Sequence, residues 1–279
     1  MLRSSTRQHR FARWLDGSWQ LLALPMILFI ALPILALIAS ATQLDLFANL
    51  DERQVIQAVS LSLVTTLCTT LVTLVFGTPV AYLLSRRQFR YSHVIDTLID
   101  LPTVLPPSVA GIALLMAFGR RGLLGAWIAA AGIQIPFTML AVIMAQTFIA
   151  APFYVKAAAI GFGGIDPELK HAAALDGAGR WQILRYIVLP LSWTALLSGS
   201  VMTWARALGE FGATIIFAGN FPGRTQTMPL AIYIGFEIDL NVALTLAIIL
   251  IFFSFLTLLI VKGFLHRRLD PGLETNNGF

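Results

Sequence analysis

Six stretches of this 279-residue chain carry no charged side chain for about as long as a helix needs to cross a bilayer. Gly17–Leu44 runs 28 residues without one, Gln54–Ser85 32, Leu101–Gly119 19, Gly122–Val155 34, Tyr186–Ala205 20 and Leu240–Val261 22. About 20 helical residues span the ~30 Å of hydrocarbon in a membrane. Only 12% of the residues are charged, about half of what a surface facing water requires. The chain is therefore an all-α integral membrane protein with several spans.

Spans at roughly 18–41, 58–84, 97–118, 136–158, 187–217 and 241–264, with the N-terminus in the cytoplasm, sort the basic residues unevenly. Arg3, Arg7, Arg10, Arg13, Arg86, Arg87, Arg90, Lys156, Lys170, Arg180, Arg185, Lys262, Arg267 and Arg268, 14 of the 19, fall on the inner side. Arg53, Arg120, Arg121 and Arg224 fall outside, and Arg206 falls within a span. This is the positive-inside distribution. The net charge of +5 thus reflects insertion and contact with anionic membrane lipid, and no nucleic-acid site is expected. The first apolar run ends in Ala39-Ser40-Ala41, which resembles a cleavage site, but it is longer than a signal-peptide core and holds Pro25 and Pro33, so it reads as a span. The single cysteine, Cys68, lies inside the second span, which leaves no intrachain disulfide. The expected layout is a cytoplasmic segment 1–17, one transmembrane domain 18–265, a cytoplasmic loop at about 161–190 within it, and a cytoplasmic tail 266–279, flexible from Asp270. Pro136 divides the longest charge-free run, so Leu123–Ala131 reads as an interfacial or partly inserted helix.

The loop Gly161–Arg185 has the signals of ordered structure. Asp166-Pro167-Glu168 supplies an N-cap, a proline suited to the first helical position and an acid against the positive end of the helix dipole. Gly177 ends that helix, and a second one starts at Arg180. The Ala-rich face of the first helix would let another backbone come close, and on composition alone a generic re-entry turn between helices explains the segment equally well.

These residues resemble the cytoplasmic EAA loop of permeases from bacterial and archaeal ABC importers: EAA, three residues, Gly, nine residues, Ile, any residue, Leu-Pro. Here His171, Ala172 and Ala173 are followed at the family spacing by Gly177, Ile187, Leu189 and Pro190. His171 stands where the family usually has glutamate, so a salt bridge from that position is not carried over. The resemblance implies a type I importer permease fold, with the loop's helix docked on a cytoplasmic ATPase subunit. It also implies a dimer, expected to be a homodimer, with two ABC ATPase subunits and an extracytoplasmic binding protein, whose ligand the next resemblance narrows to an oxyanion. The chain has no G-x-x-x-x-G-K-[ST] phosphate loop of its own, and neither catalysis, cofactor nor metal is expected of it. A second, narrower resemblance lies in Arg206–Thr214, Ala218-Gly219-Asn220 and Pro222–Thr227 with Pro229-Leu230, and in Leu101–Gly111. These segments look like the oxyanion branch, closest in wording to molybdate/tungstate permeases, with sulfate/thiosulfate the alternative cargo. The likeness covers about residues 55–265.

Candidate path residues follow from charge and from helix breaks. Arg206 and Glu210, one helical turn apart, are ionisable residues inside a span, where charge is costly and commonly functional. They read either as a self-satisfying ion pair or as part of an anion path in which Arg206 donates to a tetrahedral dianion, with Thr214 beyond them. Pro102, Pro106 and Pro107 interrupt helical bonding near Thr103 and Ser108, whose hydroxyls offer weak neutral contacts, as either a pathway element or a plain kink. Arg224, Thr225, Gln226 and Thr227 read as an outer loop, either solvated or touching the binding protein. Trp14, Trp19, Tyr91, Tyr154 and Trp181 are expected as interfacial anchors. An ion-coupled transporter would need acids buried at mid-membrane, where Glu210 stands alone. A membrane enzyme would need a cluster that the scattered His9, His93, His171 and His266 do not make.

Overall fold

The computed structural model describes residues 5–42, 50–86 and 91–269, and these are helical apart from turns and loops. Most of the expected tail lies outside the described residues, as do the side chains of Trp14 and Trp19. Among the described residues, four helices are long and apolar enough to cross a membrane, and two bent pairs bring the number to six if each pair is one span. In chain order the elements are α1 (Ser5–Thr42), α2 (Arg53–Ser85), α3 (Ser92–Val104), α4 (Pro107–Phe118), α5 (Gly125–Ala130) and α6 (Met139–Gly163). There follow α7 (Pro167–Leu175), α8 (Arg180–Leu191), α9 (Trp193–Leu208), α10 (Gly212–Phe217), α11 (Met228–Ile238) and α12 (Leu240–Leu269).

The central helix is α6. Half of its most apolar window is buried inside the chain, whereas the corresponding window of α1 has no buried residue. Lipid tails are as apolar as leucine, so helices in a membrane associate through close packing and polar contacts between them. The buried side of α6 mixes small residues, Ala141, Ala145, Ala150 and Ala158, with large ones that fill the space between helices, Ile149, Tyr154 and Phe162. Hydroxyls tie it to α2 and α9: Thr69 donates to Gln146 Oε1 at 3.1 Å, Thr203 to the Ala150 carbonyl at 3.1 Å, and the Thr78 and Tyr154 hydroxyls share a hydrogen bond of 2.6 Å.

The expected third and fifth spans are both broken. Between α3 and α4 the axis turns by 118°, and between α8 and α9 by 72°. In the first case Leu105 and Pro106 each precede a proline, which disfavours the helical region; both are extended, with ψ 139° and 133°. Pro102, by contrast, lies buried inside α3 without ending it. In the second case Pro190 has no N–H for the Tyr186 carbonyl and its ring crowds that oxygen. The preceding turn, Leu184–Val188, is widened to a π-helix, and the axis then bends at Ser192. The interfacial helix expected at Leu123–Ala131 is the six-residue α5, with Leu123 and Trp127 both exposed.

Candidate translocation and coupling sites

The break between α3 and α4 lies against a second interruption, at Gly209–Phe211 between α9 and α10. A Cβ on Gly111 would lie 2.8 Å from both the Ala213 carbonyl and Ile216 Cβ, and one on Gly212 would lie 2.7 Å from Pro107 Cβ. The two short helices therefore run side by side at backbone contact, which only glycine permits here. Thr103 and Ser108 flank the break and are exposed in the single chain. Thr103 donates to the Asp100 carbonyl at 2.7 Å.

Glu210 and Arg206 hold the second interruption together. Glu210 is 1% exposed; one carboxylate oxygen meets Arg206 Nη1 at 2.9 Å and the other accepts the Ala213 N–H at 2.8 Å. The carboxylate thus caps the first turn of α10, where the helix dipole favours negative charge, and neutralises the arginine one turn back. Arg206 is 31% exposed, and a single guanidinium nitrogen engages Glu210, so other N–H donors remain to face outward. Thr214, expected beside them, is fully buried.

At the other end of the molecule the loop after α6 is folded as its sequence signals suggest. Asp166 Oδ1 accepts the Glu168 N–H at 2.9 Å, and Pro167 opens α7. Gly177 closes it with φ +86°, while the Ala178 N–H reaches back to the Ala173 carbonyl at 2.9 Å. Nothing lies within 4 Å of a Cβ built on Gly177, so within this chain its dihedral is what requires glycine. His171, Ala172 and Leu175 are exposed, Leu175 at 89%. Behind the turn is a cavity of about 300 Å³ between Asp176, Gly177 and Gln182 on one side and Tyr186 and Ile187 on the other. Lys170 Nζ donates to the Phe162 carbonyl at 3.2 Å and pins α7 to the end of α6.

The expected outer loop is largely a plug. Thr225, Gln226 and Thr227 are 0%, 3% and 1% exposed. The Thr225 hydroxyl accepts the Phe221 N–H at 3.1 Å, Gln54 Nε2 reaches Gln226 Oε1 at 3.4 Å, and the Met228 N–H reaches Ser62 Oγ at 2.7 Å. Ser62 is nine residues into α2, about 14 Å along its axis, so the loop dips into the protein. Of the four residues only Arg224 is exposed.

A family model described as the inner membrane component of binding-protein-dependent transport systems matches residues 73–275. The chain belongs to this family. It is a multi-pass inner-membrane permease, and similar proteins agree. It is 37% identical over 244 residues to a probable transport system permease protein, NifC, of Clostridium pasteurianum, covering 86% of this chain and 85% of that one. It is 39% identical over 239 residues to the molybdenum transport system permease protein ModB of Mycobacterium tuberculosis, covering 85% and 90%. Among solved structures, a bacterial alginate ABC transporter in complex with an alginate-bound periplasmic protein has a chain with TM-score 0.70 at 18% identity, covering 95% of this chain and 98% of that one, which shows a shared fold.

In this permease Tyr154 differs from its expected setting, and Lys156 has partners that the sequence did not show. Tyr154, expected as an interfacial anchor, is 1% exposed in the core, whereas Tyr91 and Trp181 are exposed. Lys156, counted from sequence as an inner-side charge, binds Asp96 at 2.6 Å and Asp100 at 2.8 Å and so ties α6 to α3. Asp96 and Asp100 are four residues apart, hence on one helix face. With a lone lysine near the end of an otherwise apolar span, that was the available signal.

Proposed function

We propose that this chain is the permease subunit of a molybdate/tungstate importer, acting as a homodimer with two cytoplasmic ABC ATPase subunits and an extracytoplasmic oxyanion-binding protein. The observation that carries the cargo is its 39% identity, over 85% of its length, to a permease named for molybdenum transport. The observation that carries the mechanism is α7, a short helix capped at both ends that presents small side chains and Leu175 outward. An ATPase subunit docked on His171, Ala172, Ala173 and the Gly177 turn would move α7, with Ile187, Leu189 and Pro190 forming the bend through which that motion enters α9. ATP is hydrolysed by the partner, not by this chain.

The path is assigned to the exposed break at Thr103 and Ser108 and to Arg206. Hydroxyls and one guanidinium already paired with Glu210 suit a route that must release its ion, since tight binding would stop conduction. Glu210 and Thr214 position that region from within. The binding protein releases its anion over the outer face that carries Arg224, while Thr225, Gln226 and Thr227 hold the loop below it. The test is ATPase activity of the reconstituted complex with binding protein and molybdate, tungstate or sulfate. Stimulation by molybdate and tungstate is expected, and stimulation by sulfate alone overturns the cargo.

A further inference from the structure

A cleft of about 990 Å³ lies on the outer side, between the end of α4, the helix α5 and the irregular run Ile133–Phe137 before α6. Three of its lining residues are Arg120, Arg121 and Arg224. All three are exposed, and among the described residues none has an acidic partner. Arginines from two loops, more than 100 residues apart in sequence, thus converge on one concave surface whose walls are largely apolar. Low-dielectric walls focus the field of such charges into the cleft.

The cleft also leads somewhere. Ser108, Ile112 and Met116, four residues apart, share one face of α4, and all three are exposed. Met116 lines the cleft, and Ser108 flanks the break at the other end of the same helix. An exposed stripe of α4 therefore connects the arginines with the break assigned to the path.

We propose that this cleft is an anion vestibule: Arg120, Arg121 and Arg224 attract and briefly hold a doubly charged tetrahedral oxyanion at the outer mouth before it moves along α4. This rests on the oxyanion reading above. The same positive groups could instead hold a lipid phosphate or an acidic surface of the binding protein, and the experiment separates these.

Cys68→Ser with Ile133→Cys places one thiol in the cleft wall, where Ile133 is 51% exposed. The whole complex, in phosphatidylcholine vesicles, is labelled with an anionic and a cationic methanethiosulfonate of similar size. The anionic reagent should react faster, and Arg→Gln at all three arginines should lower the anionic-to-cationic rate ratio by about tenfold or more. Arg→Lys at all three should restore it. Millimolar molybdate should slow labelling more than sodium chloride of equal ionic strength, and Arg120→Gln with Arg121→Gln, which leaves Arg224 in place, should take up limiting molybdate several-fold more slowly with unchanged affinity for the binding protein. A rate ratio indifferent to the arginines overturns the proposal. So does loss of the anionic preference on adding phosphatidylglycerol, which assigns the arginines to lipid, or an uptake defect traced wholly to weaker binding-protein affinity. Wild-type complex that takes up no molybdate or tungstate removes the oxyanion reading itself; wild-type uptake with an indifferent Gln variant removes only the vestibule.

Discussion

Neutralising Arg206 alone should damage the fold more than neutralising Arg206 and Glu210 together. The reason lies in what Glu210 touches: at 1% exposure its carboxylate has, among the described residues, Arg206 at 2.9 Å and the Ala213 N–H at 2.8 Å as partners. Arg206→Met strands that charge, and removing one partner of a buried pair costs about 3–5 kcal/mol. Because Arg206 is itself 31% exposed, part of its contribution is already screened, and about 3 kcal/mol is the expected cost. In Arg206→Met with Glu210→Gln no charge is left behind, and glutamine keeps an oxygen for the Ala213 N–H. The remaining loss is that of a charged acceptor replaced by a neutral one, about 1 kcal/mol. The double variant should therefore recover roughly 2 kcal/mol, which is about 4 °C or more in thermal unfolding for a chain of this size. The assay is unfolding of the detergent-solubilised protein, followed by oxyanion uptake of the reconstituted double variant. Equal melting temperatures for the single and double variants would refute the stranded-charge argument. A stable double variant with wild-type uptake would remove Arg206 from the path and leave it a structural residue.

Gly177→Leu should disturb the end of α7 by about 1–2 kcal/mol, because its φ of +86° is costly for a residue with a Cβ; Gly177→Asn should restore coupled ATP hydrolysis if the dihedral is what matters, and should fail with it if an ATPase backbone needs the space. Gly111→Ala should force α4 from α10, since its Cβ would lie 2.8 Å from the Ala213 carbonyl; a loss of about 1–3 kcal/mol in thermal stability is expected, with altered basal ATPase activity in the complex, and a wild-type melting curve would refute the close contact. Lys156→Met should release Asp96 and Asp100 from α6 and weaken coupling between ATP hydrolysis and uptake, while Lys156→Met with Asp96→Asn and Asp100→Asn should regain thermal stability but not coupling; full coupling in the triple variant would show the bridge to be dispensable.

What was legible in the sequence was local. Asp166 and Pro167 start α7 and Gly177 ends it because capping depends on neighbours within a turn, and those neighbours are adjacent in the chain. The break near Pro106 was legible for the same reason, though its 118° angle was not, since that depends on where α10 and α6 leave room. Long-range pairings stayed hidden. Thr225-Gln226-Thr227 has the composition of a solvated loop, and only Ser62, 166 residues away from Met228, shows why it is buried. Tyr154 has the amphipathic look of an interfacial residue, but its hydroxyl is satisfied by Thr78 in the core. The arginine cleft could not be read either, because Arg120 and Arg224 meet only when the chain has folded.

The contacts also bear on how a push on α7 could reach the break between α3 and α4. Lys170 fastens α7 to the last turn of α6, and α6 is a continuous helix of 25 residues with Pro152 inside it. Two turns before its end, Lys156 grips Asp96 and Asp100 of α3, and α3 ends at the extended Leu105-Pro106 link. Of the two elements that meet at the path, α3 is thus tied to the inner end of α6, whereas α4 is packed against α10 and the outer part of α6 around Ala141 and Ala145. A displacement arriving through α7 would reach the joint between those two bodies, where the Leu105 N–H still meets the Leu101 carbonyl at 3.1 Å and the Pro106 carbonyl takes the Ala110 N–H at 3.2 Å, but Pro106 and Pro107 have no N–H to give. That link carries Thr103 on one side and Ser108 on the other, which places a joint short of two backbone donors beside the residues proposed to meet the anion.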